Sequence, residues 1–237
     1  MPPMRREESK HRRLSPVFLA LAGAACLAAA LIAASVMGSR GSEAAPAVTA
    51  DAPAKRNPLF AGIPQDGIAL GDPAAPLTVV EYADLQCPYC ATWSRDVLPT
   101  VVEKYVRSGQ VRLEFRGLAF VGPDSDKALR AALTAGEQDL LWDAVHALYE
   151  RQGHENAGWV TDNLLRGLAP VGVDLERTSS AWVQRQVIEA ASAARIAAVP
   201  GTPYFQVSRD GGPLQPLPVE SLDAVSFTAK LDGLLAE

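Results

Sequence analysis

The chain has 237 residues, three cysteines, three histidines and a formal net charge of −5. Six of its 22 basic residues but only two of its 27 acidic ones fall in the first 40 positions, so the remainder carries −9. That surplus argues against a nucleic-acid partner and against docking on an anionic membrane surface.

In chain order, residues 1–15 form a basic head with Arg5, Arg6, Lys10, Arg12 and Arg13, and no charged residue follows until Arg40. A helix of about 22 residues across this run would span about 33 Å, the thickness of a bilayer core. Residues 16–38 are therefore expected to be a transmembrane signal anchor; a cleaved signal peptide with a long apolar core is the alternative. The preceding positive charge keeps the N-terminus cytoplasmic and sends the rest outward, into an oxidising compartment where disulfides persist. Cys26 lies inside this apolar run, as a small apolar residue. Residues 39–61, rich in Ala, Pro, Gly and Ser, read as a flexible tether reaching roughly 25 Å. Residues 62–237 are ample for one core, with no internal repeat, glycine-rich phosphate loop or Gly-x-Ser-x-Gly.

Leu77 to Ala83 is nearly continuous apolar sequence, the signature of a central strand covered on both faces. Asp84-Leu85-Gln86 makes a turn. A helix follows, with Val97, Leu98, Val101, Val102 and Tyr105 on one face, a kink at Pro99 and an end at Gly109. Val111 to Phe115 alternates with period two, a second strand. A strand–helix–strand unit of this size makes the two strands parallel. From about 124 to 198 the chain reads helical, in segments around 124–136, 139–152, 158–169 and 177–197, which together form an inserted subdomain. Strand character returns at Pro203–Val207. A turn at Asp210-Gly211-Gly212 leads to a partner strand between Leu214 and Leu217. A last helix carries Leu222, Val225 and Ala229 on one side. The expected fold is α/β: βαβ, a helical insertion, ββ and a final helix, which is the thioredoxin arrangement.

The chemistry concentrates in Cys87-Pro88-Tyr89-Cys90, between the first strand and its helix. The i,i+3 spacing puts both sulfurs on one helix face within disulfide range. A helix N-terminus offers free N–H groups and the positive end of the dipole, which lower a thiol's pKa and improve it as nucleophile and leaving group. A redox-active dithiol is the leading reading. A zinc half-site, an inert disulfide closing a two-residue loop and two unrelated buried thiols are alternatives; the first lacks a second ligand pair, since His146 and His154 do not form one. No metal or cofactor is expected. Glu81 lies in the strand read as buried, where a carboxylate is costly without a role or partner; the alternative is a strand-end Glu reaching water. His146, four residues after Trp142 and three before Tyr149, reads as a core or boundary residue, and Trp93 as packing.

Glu81-Tyr-Ala-Asp-Leu-Gln-Cys-Pro-Tyr-Cys90, the helical insertion and Val199-Pro-Gly-Thr-Pro-Tyr-Phe205 together resemble the extracytoplasmic DsbA-like thiol–disulfide oxidoreductases, over residues 62–237. The resemblance implies an exposed, low-pKa nucleophile at Cys87 and a more buried resolving Cys90. It implies tuning of the redox potential by Pro88 and Tyr89, and a possible proton relay at Glu81. Thr202 and Pro203 match the family's substrate-binding cis-proline loop. The implied activity is disulfide exchange with exported or cell-envelope proteins bearing cysteines, most simply as a disulfide donor recycled by a membrane redox partner. An isomerase or reductase is the nearest alternative, and a chaperone-like binding module, its cysteines incidental, is one of another class.

Overall fold

The computed structural model describes residues 56–168 and 180–237. The basic head, the anchor at 16–38, residues 39–55 of the tether and residues 169–179 of the expected insertion lie outside these residues; among the described residues no helix is long and apolar enough to cross a membrane.

Six strands form one sheet: β1 (Gln65–Asp66), β2 (Ala69–Leu70), β3 (Leu77–Asp84), β4 (Val111–Leu118), β5 (Tyr204–Arg209) and β6 (Gln215–Pro216). Their spatial order is β1-β2-β4-β3-β5-β6. β3 sits at the centre, parallel to β4 and antiparallel to β5. All of it but Thr78 is buried, as its unbroken apolar run requires. The β1–β2 hairpin was not anticipated. Each strand is only two residues long, too short for periodicity to register. The signal was Asp66-Gly67, with Gly67 at φ +57° opening the turn.

The helix after β3, here α1, consists of four consecutive segments, Pro88–Thr92, Trp93–Val97, Leu98–Val101 and Val102–Val106. The second and fourth are wide turns of π type. Pro99 cannot donate to the helix ladder. The turn before it is widened, so that the N–H of Leu98 reaches the Trp93 carbonyl.

The insertion contains α2 (Pro123–Gly136), α3 (Leu141–Glu150), α4 (Asp162–Leu168) and α5 (Ala181–Ile196), with no strand among its described residues. α6 (Ala224–Leu235) closes the chain. Its packing corrects the expected face. Val225 is 78% exposed and Ala229 exposed, whereas Phe227 and Leu231 are buried, so the inward stripe runs through 227, 231 and 234–235.

The tether boundary also moves. Residues Pro58–Phe60 form a 3-10 turn and Phe60 is buried in the core. The Arg107 guanidinium donates to the Leu59 and Ala61 carbonyls, and the N–H of Asn57 to Asp143. The packed body therefore begins near residue 57; small residues surrounding one large apolar side chain had hidden the attachment.

The sheet register sorts side chains onto two faces. Phe115, Glu81 and Phe205 stand side by side on one face. Trp93 of α1 packs on Phe205, Trp142 of α3 packs on Phe115, and Phe227 of α6 completes the group. On the other face Arg116, Tyr82 and Tyr204 lie across the same three strands, with Arg116 donating to the Tyr82 hydroxyl and Tyr82 to Gln206.

Candidate active site

β3 delivers the site. It runs into a turn in which the N–H of Cys87 donates to the Asp84 carbonyl at 2.9 Å and the N–H of Gln86 to Asp84 Oδ1 at 2.8 Å. This is the Asx geometry that Asp favours. The buried Asp84 carboxylate is offset by three further donors: the N–H groups of Phe120 and Val121 on Oδ2, and the Ser125 hydroxyl on Oδ1 at 2.6 Å. The turn is thereby tied to the loop after β4 and to the first turn of α2.

Cys87 is the N-cap of α1, with extended dihedrals, and Pro88 occupies the first helical turn, where a missing N–H costs nothing. The Cys87 thiol is pulled down to about 6, first by a hydrogen bond from the Cys90 thiol; burial opposes this, and the Thr202 side chain and the N–H groups of Cys90 and Tyr89 add to it. The Thr202 carbonyl, 3.2 Å from Sγ, works the other way by accepting the thiol proton. One expectation needs correction: Cys87 is not exposed but 7% accessible, recessed between Thr202 and the first turn of α1, while Pro88 and Tyr89 lie on the surface.

Cys90, one turn further in, has no accessible surface, and its thiol is pushed well up, first by burial, then by the bond it gives to Cys87 and by the charges of Glu81 and Cys87. Proton and charge therefore divide as a pair, with Cys87 ionised and Cys90 the donor. Both thiols are free of any disulfide here.

Glu81 does not reach water. It is 2% exposed, and its Oε1 has no hydrogen-bond partner among the described residues. Burial pushes its carboxyl well above the ordinary carboxylate value, and the Cys87 charge adds to this. The Thr202–Pro203 bond is cis and leads directly into β5. Thr202 thus meets Cys87 at the start of α1, and the buried Glu81 carboxyl lies close enough for charge to act between it and both cysteines. His146 lies a turn further along, its Nδ1 3.2 Å from the Ser94 hydroxyl and its ring edge-on to Phe60. Trp93 is core. Among the described residues no three His, Cys, Asp or Glu side chains cluster as metal ligands.

Sequence reasoning missed the residues that hold the turn from outside. The Tyr149 hydroxyl donates to the Asp84 carbonyl, and Gln152 donates to the carbonyls of Leu85 and Cys87. Gln86 reaches Ser125 and Asn156. Asp84 had a visible signal, the Asx turn; Gln152, 65 residues from Cys87, had none.

A thioredoxin family model matches residues 64–203. A probable disulfide bond formation protein D of Bacillus anthracis is 38% identical over 113 residues, which are 47% of this chain and 51% of that protein. The chain spans about half the length of this and the next two curated relatives that it matches. The crystal structure of oxidised BdbD from Bacillus subtilis superposes with a TM-score of 0.62 at 23% identity, covering 74% of this chain and 98% of that one. Alpha-DsbA1 of Wolbachia pipientis gives 0.62 at 21% identity, covering 71% and 90%. These two likenesses show the fold.

Proposed function

The chain belongs to the thioredoxin family, and from that premise we propose that it is a protein thiol–disulfide oxidoreductase acting through Cys87 and Cys90 as a disulfide donor. In the oxidised enzyme a substrate thiolate attacks the Cys87 sulfur, and the Cys87–Cys90 bond breaks. Cys90 leaves with the electron pair and takes up a proton, for which the buried carboxyl of Glu81 is the proposed source. A second substrate thiolate then attacks the substrate sulfur of the mixed disulfide. Cys87 departs as a thiolate, the substrate gains a disulfide, and two electrons have passed to the dithiol.

The observation that carries this reading is the division between the two thiols. A Cys87 held ionised at about 6 stabilises the reduced enzyme and makes Cys87 a good leaving group, which favours donation. Thr202, beside the Cys87 sulfur, and Pro203 would hold an extended substrate segment, and Pro88 and Tyr89 would tune the potential. The substrates would be exported or cell-envelope proteins bearing cysteines, and a membrane redox partner would reoxidise the dithiol. Residues 16–38 would anchor the chain, with the catalytic domain on the extracytoplasmic side. The relatives named for disulfide bond formation support the activity.

Thiol trapping in unstressed cells tests the direction: a donor keeps Cys87 and Cys90 mainly oxidised, and a mainly reduced pair would overturn it in favour of an isomerase or reductase. Cys90→Ser should accumulate mixed disulfides through Cys87, whereas Cys87→Ser should form none.

A further inference from the structure

Three carbonyls of the turn at residues 84–87, which brings Cys87 to the helix start, are held by the same short stretch of the insertion. The Asp84 carbonyl accepts from the Tyr149 hydroxyl at 3.2 Å. The Leu85 and Cys87 carbonyls both accept from Gln152 Nε2, at 2.9 and 3.1 Å. Tyr149 lies in the last turn of α3, and Gln152 lies just beyond the helix, where the chain leaves it. The Cys87 carbonyl is also the first acceptor of the α1 ladder, receiving the N–H of Ala91.

This geometry constrains the sulfur. The Cys87 side chain caps no amide in the helix, so its rotamer is not locked by a capping bond of its own. The sulfur meets the Thr202 carbonyl at 3.2 Å, and its place at the start of α1 follows the path of the backbone from 85 to 88. Pro88 fixes the dihedral after Cys87; before it, the N–H groups of Gln86 and Cys87 are tied to Asp84, and the Leu85 and Cys87 carbonyls are held from the insertion side. Gln152 bridges two of those carbonyls with one amide group, so its donation acts as a strap across the turn.

We propose that Gln152 is a positioning residue of the redox site, its side-chain amide strapping the Leu85 and Cys87 carbonyls so that the Cys87 sulfur stays at the N-terminus of α1. Gln152 touches no reacting atom and acts through the backbone. The assignment rests on Cys87 being the attacking sulfur, but its test reads that sulfur directly and needs no protein substrate. A failed substrate assay and a failed strap would therefore be distinguishable.

The test compares full-length, reduced chains in a Cys26→Ala background. Gln152→Met keeps the length of the side chain and removes its N–H groups. Gln65→Met serves as the control for a merely structural loss, because Gln65 accepts from the N–H of Trp142 and donates to Asp143 at the far end of the same helix, away from the turn. The iodoacetamide alkylation rate of Cys87 is followed against pH, with thermal unfolding measured alongside. Gln152→Met removes both bonds and should move the alkylation midpoint up by roughly half a unit to one unit, about a three- to tenfold fall in thiolate at pH 5, the effect of losing about one hydrogen bond's worth of thiolate stabilisation. Gln65→Met should lower the melting temperature and leave the midpoint in place. An unmoved midpoint in Gln152→Met, or an equal shift in both variants, overturns the proposal. If Gln152→Met does not fold, Gln152→Asn, which keeps the amide but shortens its reach, must give the same upward shift.

Discussion

Replacing Cys90 with alanine removes the group that does most to keep Cys87 ionised. With its thiol at about 6, Cys87 is about nine-tenths thiolate at pH 7, against about 3% for a free cysteine. That roughly thirtyfold advantage is largely cancelled in an alkylation assay, because nucleophilicity falls with pKa at a Brønsted slope of about 0.4–0.5; over 2.5 units this is about thirteenfold. At neutral pH Cys87 should therefore react only about twice as fast as a free thiol. At pH 5 the population ratio is about 300, and the net advantage should be about twentyfold. The acid limb is where the structure can be tested. In a Cys26→Ala background, Cys90→Ala should raise the midpoint by a unit or more, cutting the pH 5 rate about three- to fourfold. Cys90→Ser, which retains a hydroxyl donor at the same place, should fall between Cys90→Ala and the dithiol. Identical midpoints in the Ala and Ser variants, or a midpoint near 8.5 with Cys90 present, would refute the assignment of Cys90 as donor and Cys87 as acceptor.

Glu81 is a group whose folded-state pKa is raised, so its contribution to stability is present below the ordinary carboxylate value and is lost as pH rises above it. Glu81→Gln should raise the melting temperature of the reduced protein by a few degrees at pH 7–8 and leave it unchanged near pH 4; equal melting curves at both pH values would count against the buried carboxyl. Cys87 has the opposite sign. Its thiolate stabilises the reduced fold fully above the unfolded thiol's pKa, about 8.5, and this contribution should decline down to about pH 6 and vanish below it, read as the stability difference between the reduced protein and Cys87→Ala. Phe227→Ala opens the aromatic group between α6, α1 and β5, and denaturant unfolding should show a loss of about 3–5 kcal/mol with the alkylation midpoint unmoved. Ser125→Ala removes the 2.6 Å donor from buried Asp84 and should cost about 1–3 kcal/mol.

The amino-acid sequence by itself determined the parts that depend on near neighbours. β3 is legible because every residue from 79 to 84 must be covered, and β4 because Val111, Leu113 and Phe115 alternate inward. The placement of Cys87 and Cys90 at a helix start follows from strand, turn and Pro88 in succession. The loop at Thr202–Pro203 was legible only through its resemblance to a family, since no local pattern distinguishes it from the neighbouring Pro200. Tertiary structure decided whatever depends on which surfaces meet. The α6 stripe through Phe227 and Leu231 is as helical as the one through Val225, and only contact with Trp93 and Phe205 selects it. Glu81 could have ended in water until Phe115 and Phe205 closed on either side of it. Cys87 is recessed because Thr202, 115 residues away, arrives above it, and its turn is held by Gln152 from 65 residues away. Periodicity and capping act over a few residues and leave a mark in the sequence. A hydrogen bond between distant residues leaves none, because its partners become neighbours only after the chain between them has folded.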